Sequence, residues 1–196
     1  MPVMLAQGML ALSLMIRIYD AHDVPGDRLA TARTTVEGIM KSAGVAVTWP
    51  RCPCLSPVSA GELVVRITAS VPASAPGSLG FSFVDIGQRT GTLATVFADR
   101  VHALAAIAGV DEGELLGRVI AHEISHLLIG TRDHGARGLM RGEWRASELA
   151  LQRPTDWALS RSEGGAIRRA IRQRGSESRP AMMAIDADSA PNVSTQ

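Results

Sequence analysis

The sequence predicts an α/β domain, because short apolar segments typical of strands alternate with longer segments in which apolar residues recur every three or four positions, as in helices. Residues 12–19 form the first strand-like segment, and residues 25–43 form a helical one that Gly44 ends. The 196-residue chain contains 46% hydrophobic and 20% charged residues. This composition is that of a globular protein, and the length suits one domain with a substantial core.

The remaining elements follow the same two patterns. The clearest strand is residues 62–68, where Leu63, Val65 and Ile67 alternate with largely polar neighbours. Further strands are predicted at residues 45–49, 80–86 and 92–97, and further helices at residues 101–108, after 111, at 143–151 and at 162–174. The last helix is basic, and the residues expected to form a solvated face on it are Arg168, Arg169, Arg172 and Arg174. Residues 176–196 lack periodicity and are predicted to be a disordered tail.

The helix predicted after Asp111 carries a His-Glu-x-x-His sequence. Its apolar residues recur at spacings of one, three and four, as a helix with a broad buried face requires; they are Leu115, Leu116, Val119, Ile120, Ile124, Leu127 and Leu128. His122 and His126 are separated by about 40° around the helix axis. Both imidazoles can therefore converge on one ion.

A third histidine follows this helix. Gly130 can adopt the left-handed conformation that ends a helix and turns the chain back, so that His134 approaches the same ion from another direction. Three neutral imidazoles with a fourth position left for water describe a catalytic zinc site. Glu123 lies beside them, close enough to hold that water without being a ligand. The sequence therefore predicts a Zn2+ site at His122, His126 and His134.

At these residues the sequence resembles the metzincin clan of zinc metallopeptidases, and within it the matrixins. The motif of the clan is His-Glu-x-x-His-x-x-Gly-x-x-His; here the glycine comes one place later, at Gly130, and the third histidine two places later, at His134. Residues 134–140 are similar to the link that leads to the methionine-containing turn of matrixins, which also has a Leu-Met pair. The site that the resemblance implies consists of the metal ligands His122, His126 and His134, the general base Glu123 and the turn residue Met140.

The displaced third histidine leaves one alternative open. Asp133 is adjacent to His134 and could be the third ligand instead, since related clans use aspartate in that role. His134 is preferred, because ligation by histidines alone fits the resemblance to matrixins.

The resemblance also implies a fold. The order of elements over residues 12–145 is similar to the upper subdomain of metzincins, an α+β zincin-type fold with a mixed, twisted five-stranded sheet and two long helices. It implies a single catalytic domain over residues 1–175, with an upper subdomain of about residues 10–130 and a small, mostly helical lower one of about 131–175. Trp144 and Trp157 are expected to pack the lower subdomain under the site.

One strand has a particular role in this family. The fourth strand of metzincins is an antiparallel edge to which an extended peptide substrate adds, and residues 80–86 would be that edge. An edge strand offers unpaired backbone groups for such pairing. An ordinary covered edge is the alternative.

The function that follows is that of a zinc metalloendopeptidase acting on a peptide or protein substrate. Glu123 would take a proton from water activated by zinc and deliver it to the leaving amine. Tyr19, the only tyrosine, lies far upstream, so no tyrosine would assist the oxyanion, as in matrixins. Two alternatives are a non-catalytic zinc-binding module, in which the metal fixes residues 130–140, and a zinc hydrolase acting on a non-peptide amide. Glu123 argues against the first, since a structural site needs no base.

Composition limits the partners. A net charge of +1 gives no reason to expect nucleic acid or an anionic membrane as partner. The apolar residues 1–16 are too short for a stable membrane span, and they lack the basic start and the cleavage site of a signal peptide. A buried first strand with a loose lead is favoured over a degenerate signal peptide or a start codon placed too late. Localisation stays open, although the resemblance suggests a secreted or cell-envelope protein.

The two cysteines and the two remaining histidines are predicted to have no part in the site. Cys52 and Cys54 are separated by one residue, so that a disulfide between them would be badly strained, and they are predicted to lie in an ordinary loop. A thiol that keeps the enzyme latent, as in matrixins, is the disfavoured alternative. His22 and His102 are expected on the surface or in loops.

Overall fold

The computed structural model describes residues 12–50, 57–59, 61–69, 77–151 and 153–177. These residues form an α/β fold around a five-stranded mixed sheet. The strands are β1 (Leu12–Asp20), β2 (Val45–Thr48), β3 (Glu62–Thr68), β4 (Gly80–Asp85) and β5 (Thr90–Phe97). Their order is β2-β1-β3-β5-β4; all neighbours are parallel except β4, which is antiparallel to β5 and forms one edge. The predicted α/β class and the five predicted strands are confirmed.

Five α-helices are described in these ranges: α1 (Gly26–Ser42), α2 (Ala98–Ala108), α3 (Glu112–Ile129), α4 (Ala146–Ala150) and α5 (Arg161–Glu177). A single 3₁₀ turn, Pro154–Trp157, lies between α4 and α5. The predicted helices are all present, but α4 is shorter than residues 143–151. It begins later because the backbone N–H of Arg145 is hydrogen-bonded to Glu148 Oε2 at 3.2 Å, which closes its first turn.

The long helix α3 lies at the centre of the molecule, against β4, β5 and α1. Its start is fixed by Asp111, whose side chain accepts a hydrogen bond from the backbone N–H of Glu114 at 2.7 Å. Two glycines let α1 approach closely: a Cβ on Gly117 would lie 2.5 Å from the carbonyl oxygen of Ala32, and one on Gly113 would lie 2.6 Å from that of Arg28. This close packing holds the motif-bearing helix against the sheet.

The four arginines of α5 were predicted to form one solvated face. This prediction is correct for two of them and wrong for the other two. Arg169 and Arg172 are exposed, as expected. Arg174 is buried, and its Nη2 donates to the carbonyl oxygen of Gly91 at 2.5 Å. Arg168 donates to the carbonyl oxygen of Ala43 at 2.7 Å, just after α1 ends. Arginine is long enough to satisfy backbone carbonyls on neighbouring elements, which a sequence pattern does not reveal.

Several expectations concern the ends and loops. The described residues do not include residues 1–11, Cys52, Cys54 or the tail from residue 178 onward. Helix α5 continues to Glu177, past the predicted domain end at residue 175. His102 is exposed on α2, and His22 is half-buried in the loop after β1, as predicted. Among the helices described, none combines the length and apolar character needed to cross a bilayer.

Candidate metal centre

Two histidines of α3 lie buried on the same side of the helix. The exposed fractions of His122 and His126 are 8% and 5%, and nearly every residue from Gly113 to Leu128 is buried. Their rings are in contact, with centroids 4.6 Å apart. Burying two imidazoles costs free energy unless their polar atoms are satisfied, so the partners of the ring nitrogens matter.

The partners of the Nδ1 atoms fix which nitrogen of each ring carries the proton. His122 Nδ1 lies 2.9 Å from the carbonyl oxygen of Leu139, and His126 Nδ1 lies 2.9 Å from that of Thr131. A carbonyl oxygen only accepts hydrogen bonds, so both Nδ1 atoms must be the N–H donors. Each neutral ring is therefore left with its lone pair on Nε2.

The loop after α3 brings a third imidazole to this point. Gly130 has φ +71° and ends the helix in the left-handed conformation, as predicted, and its N–H donates to the carbonyl oxygen of His126 at 2.9 Å. The exposed His134 stacks on His122 with ring centroids 5.3 Å apart, and is perpendicular to His126 at 4.9 Å. One nitrogen from each ring forms a group in which all atoms lie within 4.8 Å of one another.

Asp133, the alternative third ligand, lies outside this group of nitrogens. Its carboxylate accepts a hydrogen bond from Thr131 Oγ1 at 2.9 Å, and its own N–H is hydrogen-bonded to the same hydroxyl at 3.0 Å. Asp133 therefore orders the loop that leads to His134. Of the two alternatives, the structure brings the histidine to His122 and His126.

The residues fit a metal cation. The Nε2 atoms of His122 and His126 are 3.0 Å apart, and since both rings carry their proton on Nδ1, two lone pairs face each other. A cation satisfies both at once, and nitrogens that share a tetrahedral zinc ion lie about 3.4 Å apart. Burial lowers the pKa of His122 to about 4, and it also lowers the pKa of His126. Both rings are therefore neutral at physiological pH, as metal ligands must be.

Glu123 follows His122 on α3 and lines the same cleft as the three histidines, and a serine of the edge strand holds it. The carboxylate is buried, with 6% exposed, and Ser82 Oγ lies 2.7 Å from its Oε2 and 2.7 Å from the main-chain oxygen of the same residue. Burial raises the pKa of Glu123 to about 7, and the hydrogen bond from Ser82 opposes that rise. Sequence reasoning missed Ser82, because one serine in a strand carries no signal of the helix it faces.

The turn around Met140 supports the first histidine. Met140 is buried, and its carbonyl oxygen accepts a hydrogen bond from the N–H of Gly135 at 2.8 Å. The N–H of Leu139 donates to the carbonyl oxygen of Ala158 at 3.0 Å. This turn therefore holds the Leu139 carbonyl in place for His122 Nδ1.

The two tryptophans form a packed pair next to the first histidine. The Trp144 ring meets His122 edge to face at 5.5 Å, and Trp157 meets Trp144 in the same way at 5.2 Å. Trp157 is buried and contacts two guanidinium groups, those of Arg118 at 4.3 Å and Arg141 at 4.8 Å. The tryptophan pair thus joins the residues after α3 to the first histidine.

A cleft of about 900 Å³ passes over the three histidines and Glu123. One wall is β4, which is the antiparallel edge strand that was predicted at residues 80–86. Carbonyl groups near both ends of this strand accept side-chain hydrogen bonds: Gly80 from Ser78, and Val84 from Arg132 at 3.2 Å. Ser82 lies between them.

The sequence matches no protein-family model, and among curated proteins no significant match is found. The function must therefore be argued from the arrangement of these side chains.

Proposed function

We propose that this protein is a zinc-dependent metallopeptidase of the matrixin-like metzincin type, with a zincin-type fold. The observation that carries the proposal is the pair of Nε2 lone pairs facing each other at 3.0 Å, with a third imidazole and a buried carboxylate beside them. A structural zinc site is normally closed by four protein ligands. Here three histidines meet at the floor of an open cleft.

His122, His126 and His134 would hold the zinc. A zinc ion bound by three imidazoles supplies Lewis-acid chemistry, which acidifies water and polarises a carbonyl group. Glu123 accepts the proton of the attacking water and passes it to the leaving amine. In the metal-free protein burial raises the pKa of Glu123 to about 7, and a bound zinc ion would lower it, so that the carboxylate is ionised and ready to accept the proton.

Ser82 orients Glu123 through this proton cycle. Its hydroxyl lies within hydrogen-bond distance of two acceptors, Glu123 Oε2 and the main-chain oxygen of Glu123. The single hydroxyl proton can point to Oε2 while the carboxylate is ionised. It can turn to the main-chain oxygen when Glu123 is protonated and donates to the serine. The carboxyl group is then held in one position in both states.

The edge of β4 suits an extended peptide. The carbonyl groups of Gly80 and Val84 already accept hydrogen bonds from side chains, so a peptide that adds to this edge would pair along the stretch between them. Ser82 lies in that stretch and contacts Glu123. Pairing there would bring the peptide backbone next to the proposed base and the histidines, which favours a peptide over a small amide.

The test compares the wild type and Glu123→Ala on a mixed peptide library read by mass spectrometry, with zinc content measured in parallel. We expect the wild type to cleave peptides, a chelator to stop cleavage and added zinc to restore it. The variant should bind zinc and cleave nothing. Zinc binding without any hydrolysis by the wild type would instead support a non-catalytic module. Hydrolysis of small amides but not of peptides would support the other alternative.

A further inference from the structure

Arginines are the prevailing charged residues of the cleft. Apart from the buried Glu123, its lining contains one carboxylate, that of Glu143. The guanidinium groups in the lining belong to Arg100, Arg132, Arg141 and Arg145. The chain as a whole has almost equal numbers of acidic and basic residues, 19 and 20, so this local excess of positive charge belongs to the cleft.

Three buried or half-buried arginines outside the cleft are paired with carboxylates. Arg17 contacts Glu62 at 2.5 Å. Arg28 contacts Glu112 at 2.7 Å, and a further pair joins Arg118 to Glu114. These ion pairs neutralise the guanidinium groups locally.

Of the arginines of the cleft, Arg145 alone has a carboxylate partner among the described residues. Arg100 has no hydrogen bond or ion pair within the described part of the chain, and Arg132 donates to a neutral backbone carbonyl. Arg145 is 3.8 Å from Glu143, and 74% and 82% of these two side chains are exposed, so that solvent screens the pair. The positive potential of the cleft is therefore largely uncompensated.

Arg141 is half-buried in the lining of the cleft. Its Nε and Nη2 are shielded from solvent and have no hydrogen-bond acceptor among the residues described, while its guanidinium packs on Trp157. The indole Nε1 of Trp144, which also lines the cleft, is buried and has no acceptor in the described part of the chain. A half-buried guanidinium without a carboxylate partner adds to the positive potential of the cleft, and that potential would attract an anionic ligand.

Two of the arginines bracket the edge strand. The N–H of Phe97 donates to the carbonyl oxygen of Leu79, the residue before β4 begins. Arg100 follows Phe97 by three residues and lines the cleft, so we place it at the end where β4 begins. Arg132 binds the carbonyl of Val84, at the end where β4 finishes. Four residues of extended strand span about 13 Å. A peptide lying along β4 would thus meet one positive charge on each side of the Ser82 and Glu123 pair.

We infer that the cleft selects acidic peptide segments, with glutamate or aspartate side chains on both sides of the bond that is cleaved. The inference rests on the proposed peptidase function and specifies its substrate class. Leu104 and Ile107 of α2 line the end that contains Arg100, and they give the methylene groups of a glutamate side chain an apolar surface. This mixture of apolar surface and separate cations suits acidic side chains better than a continuous phosphate backbone.

Binding tests the inference without turnover. Three fluorescent peptides of equal length would differ only in residues flanking the central bond: glutamates, glutamines or lysines. With zinc-loaded Glu123→Gln, fluorescence anisotropy should show the glutamate peptide binding about 25- to 100-fold more tightly than the glutamine peptide, because each of two arginines would add one charge-assisted hydrogen bond. The difference should shrink as salt is raised. Equal affinity for the glutamate and glutamine peptides would overturn the inference.

Substitutions test which arginines cause the preference for the glutamate peptide. Arg100→Gln and Arg132→Gln should each weaken binding of the glutamate peptide about fivefold to tenfold and change the affinity for the glutamine peptide by less than about twofold. Arg100→Lys should retain the preference, since it keeps the charge. Arg172→Gln, on the exposed face of α5, is the matched control and should change neither affinity. Equal weakening of all peptides by Arg100→Gln and Arg132→Gln would contradict the inference.

Three further outcomes test the inference, and the last two separate it from the proposed function. A single-stranded oligonucleotide of the same charge that competes as well as the glutamate peptide would overturn the inference in favour of a general polyanion surface. A wild-type protein that prefers acidic peptides but cleaves none refutes the peptidase and leaves the selectivity standing. A wild type that cleaves acidic and neutral peptides equally well refutes the selectivity alone.

Discussion

Ser82 Oγ lies 2.7 Å from Glu123 Oε2, so a residue of the edge strand directly holds the carboxylate beside the three histidines. The contact joins the two sides of the cleft, because Ser82 belongs to β4 and Glu123 to α3. It sets the orientation of the proposed base at the position where an added peptide strand would lie. Ser82 is therefore a positioning residue rather than a catalytic one.

Replacing Ser82 by alanine should lower kcat about 10- to 100-fold, which corresponds to one hydrogen bond to a charged group, with KM and zinc content little changed. The reason is that the carboxylate loses its fixed orientation while the histidines stay in place. Ser82→Thr keeps a hydroxyl and should restore most of the rate. Steady-state kinetics of the three proteins on one peptide would check this. A threonine variant no faster than the alanine variant would contradict the role of the hydroxyl.

Replacing His134 by alanine should weaken zinc binding by at least about a hundredfold, because one of three ligands is lost. Asp133→Ala is the matched variant, and it should change zinc affinity far less, since that carboxylate is hydrogen-bonded to Thr131. Competition with a coloured zinc chelator measures both affinities. The reverse order of effects would make the aspartate the third ligand.

Glu123→Gln should stabilise the metal-free protein, and the stabilisation should increase as pH rises. The pKa of Glu123 is raised from its ordinary value of 4.5 to about 7, so the unfolded chain ionises first and wild-type stability falls across that interval. Relative to the glutamine variant, the loss should reach on the order of 3 kcal/mol between pH 4.5 and 7.5. Urea unfolding with chelator present, at several pH values, measures the difference. A difference that stays constant with pH would contradict the burial of a carboxyl group that has no ion-pair partner among the described residues.

Gly117→Ala should destabilise the protein by about 2–4 kcal/mol, because the new Cβ would lie 2.5 Å from the carbonyl oxygen of Ala32 in α1. Gly38→Ala is the matched control on an exposed position of α1, where nothing lies within 4 Å of the added Cβ. It should be neutral or stabilising by up to about 1 kcal/mol through helix propensity. Thermal or urea unfolding distinguishes the two, and similar effects from both would refute the close approach of α1 and α3.

The sequence predicted the elements and the histidine group because both depend on local patterns. The alternation of Leu63, Val65 and Ile67 reflects a strand with one buried face, and the spacing of His122 and His126 reflects one turn of helix. Each of these patterns spans only a few residues, so it can be recognised without knowledge of the tertiary structure.

What the sequence could not predict depends on contacts between distant residues. Ser82 meets Glu123 across 41 positions, and Arg174 meets Gly91 across 83. Arg100 and Arg132 flank one strand only because the start of α2 and the loop after α3 lie at its two ends. Such contacts arise from the packing of whole elements, and no local pattern marks the residues that make them.

The most direct test of the account is the zinc K-edge X-ray absorption spectrum of the purified protein, with metal content measured on the same sample. The account predicts one zinc ion per chain, with three imidazole nitrogens at about 2.0 Å and one further light ligand. His134→Ala should remove one imidazole from that shell. A protein that retains no zinc after dialysis, or a spectrum without three imidazoles, would contradict the proposed centre.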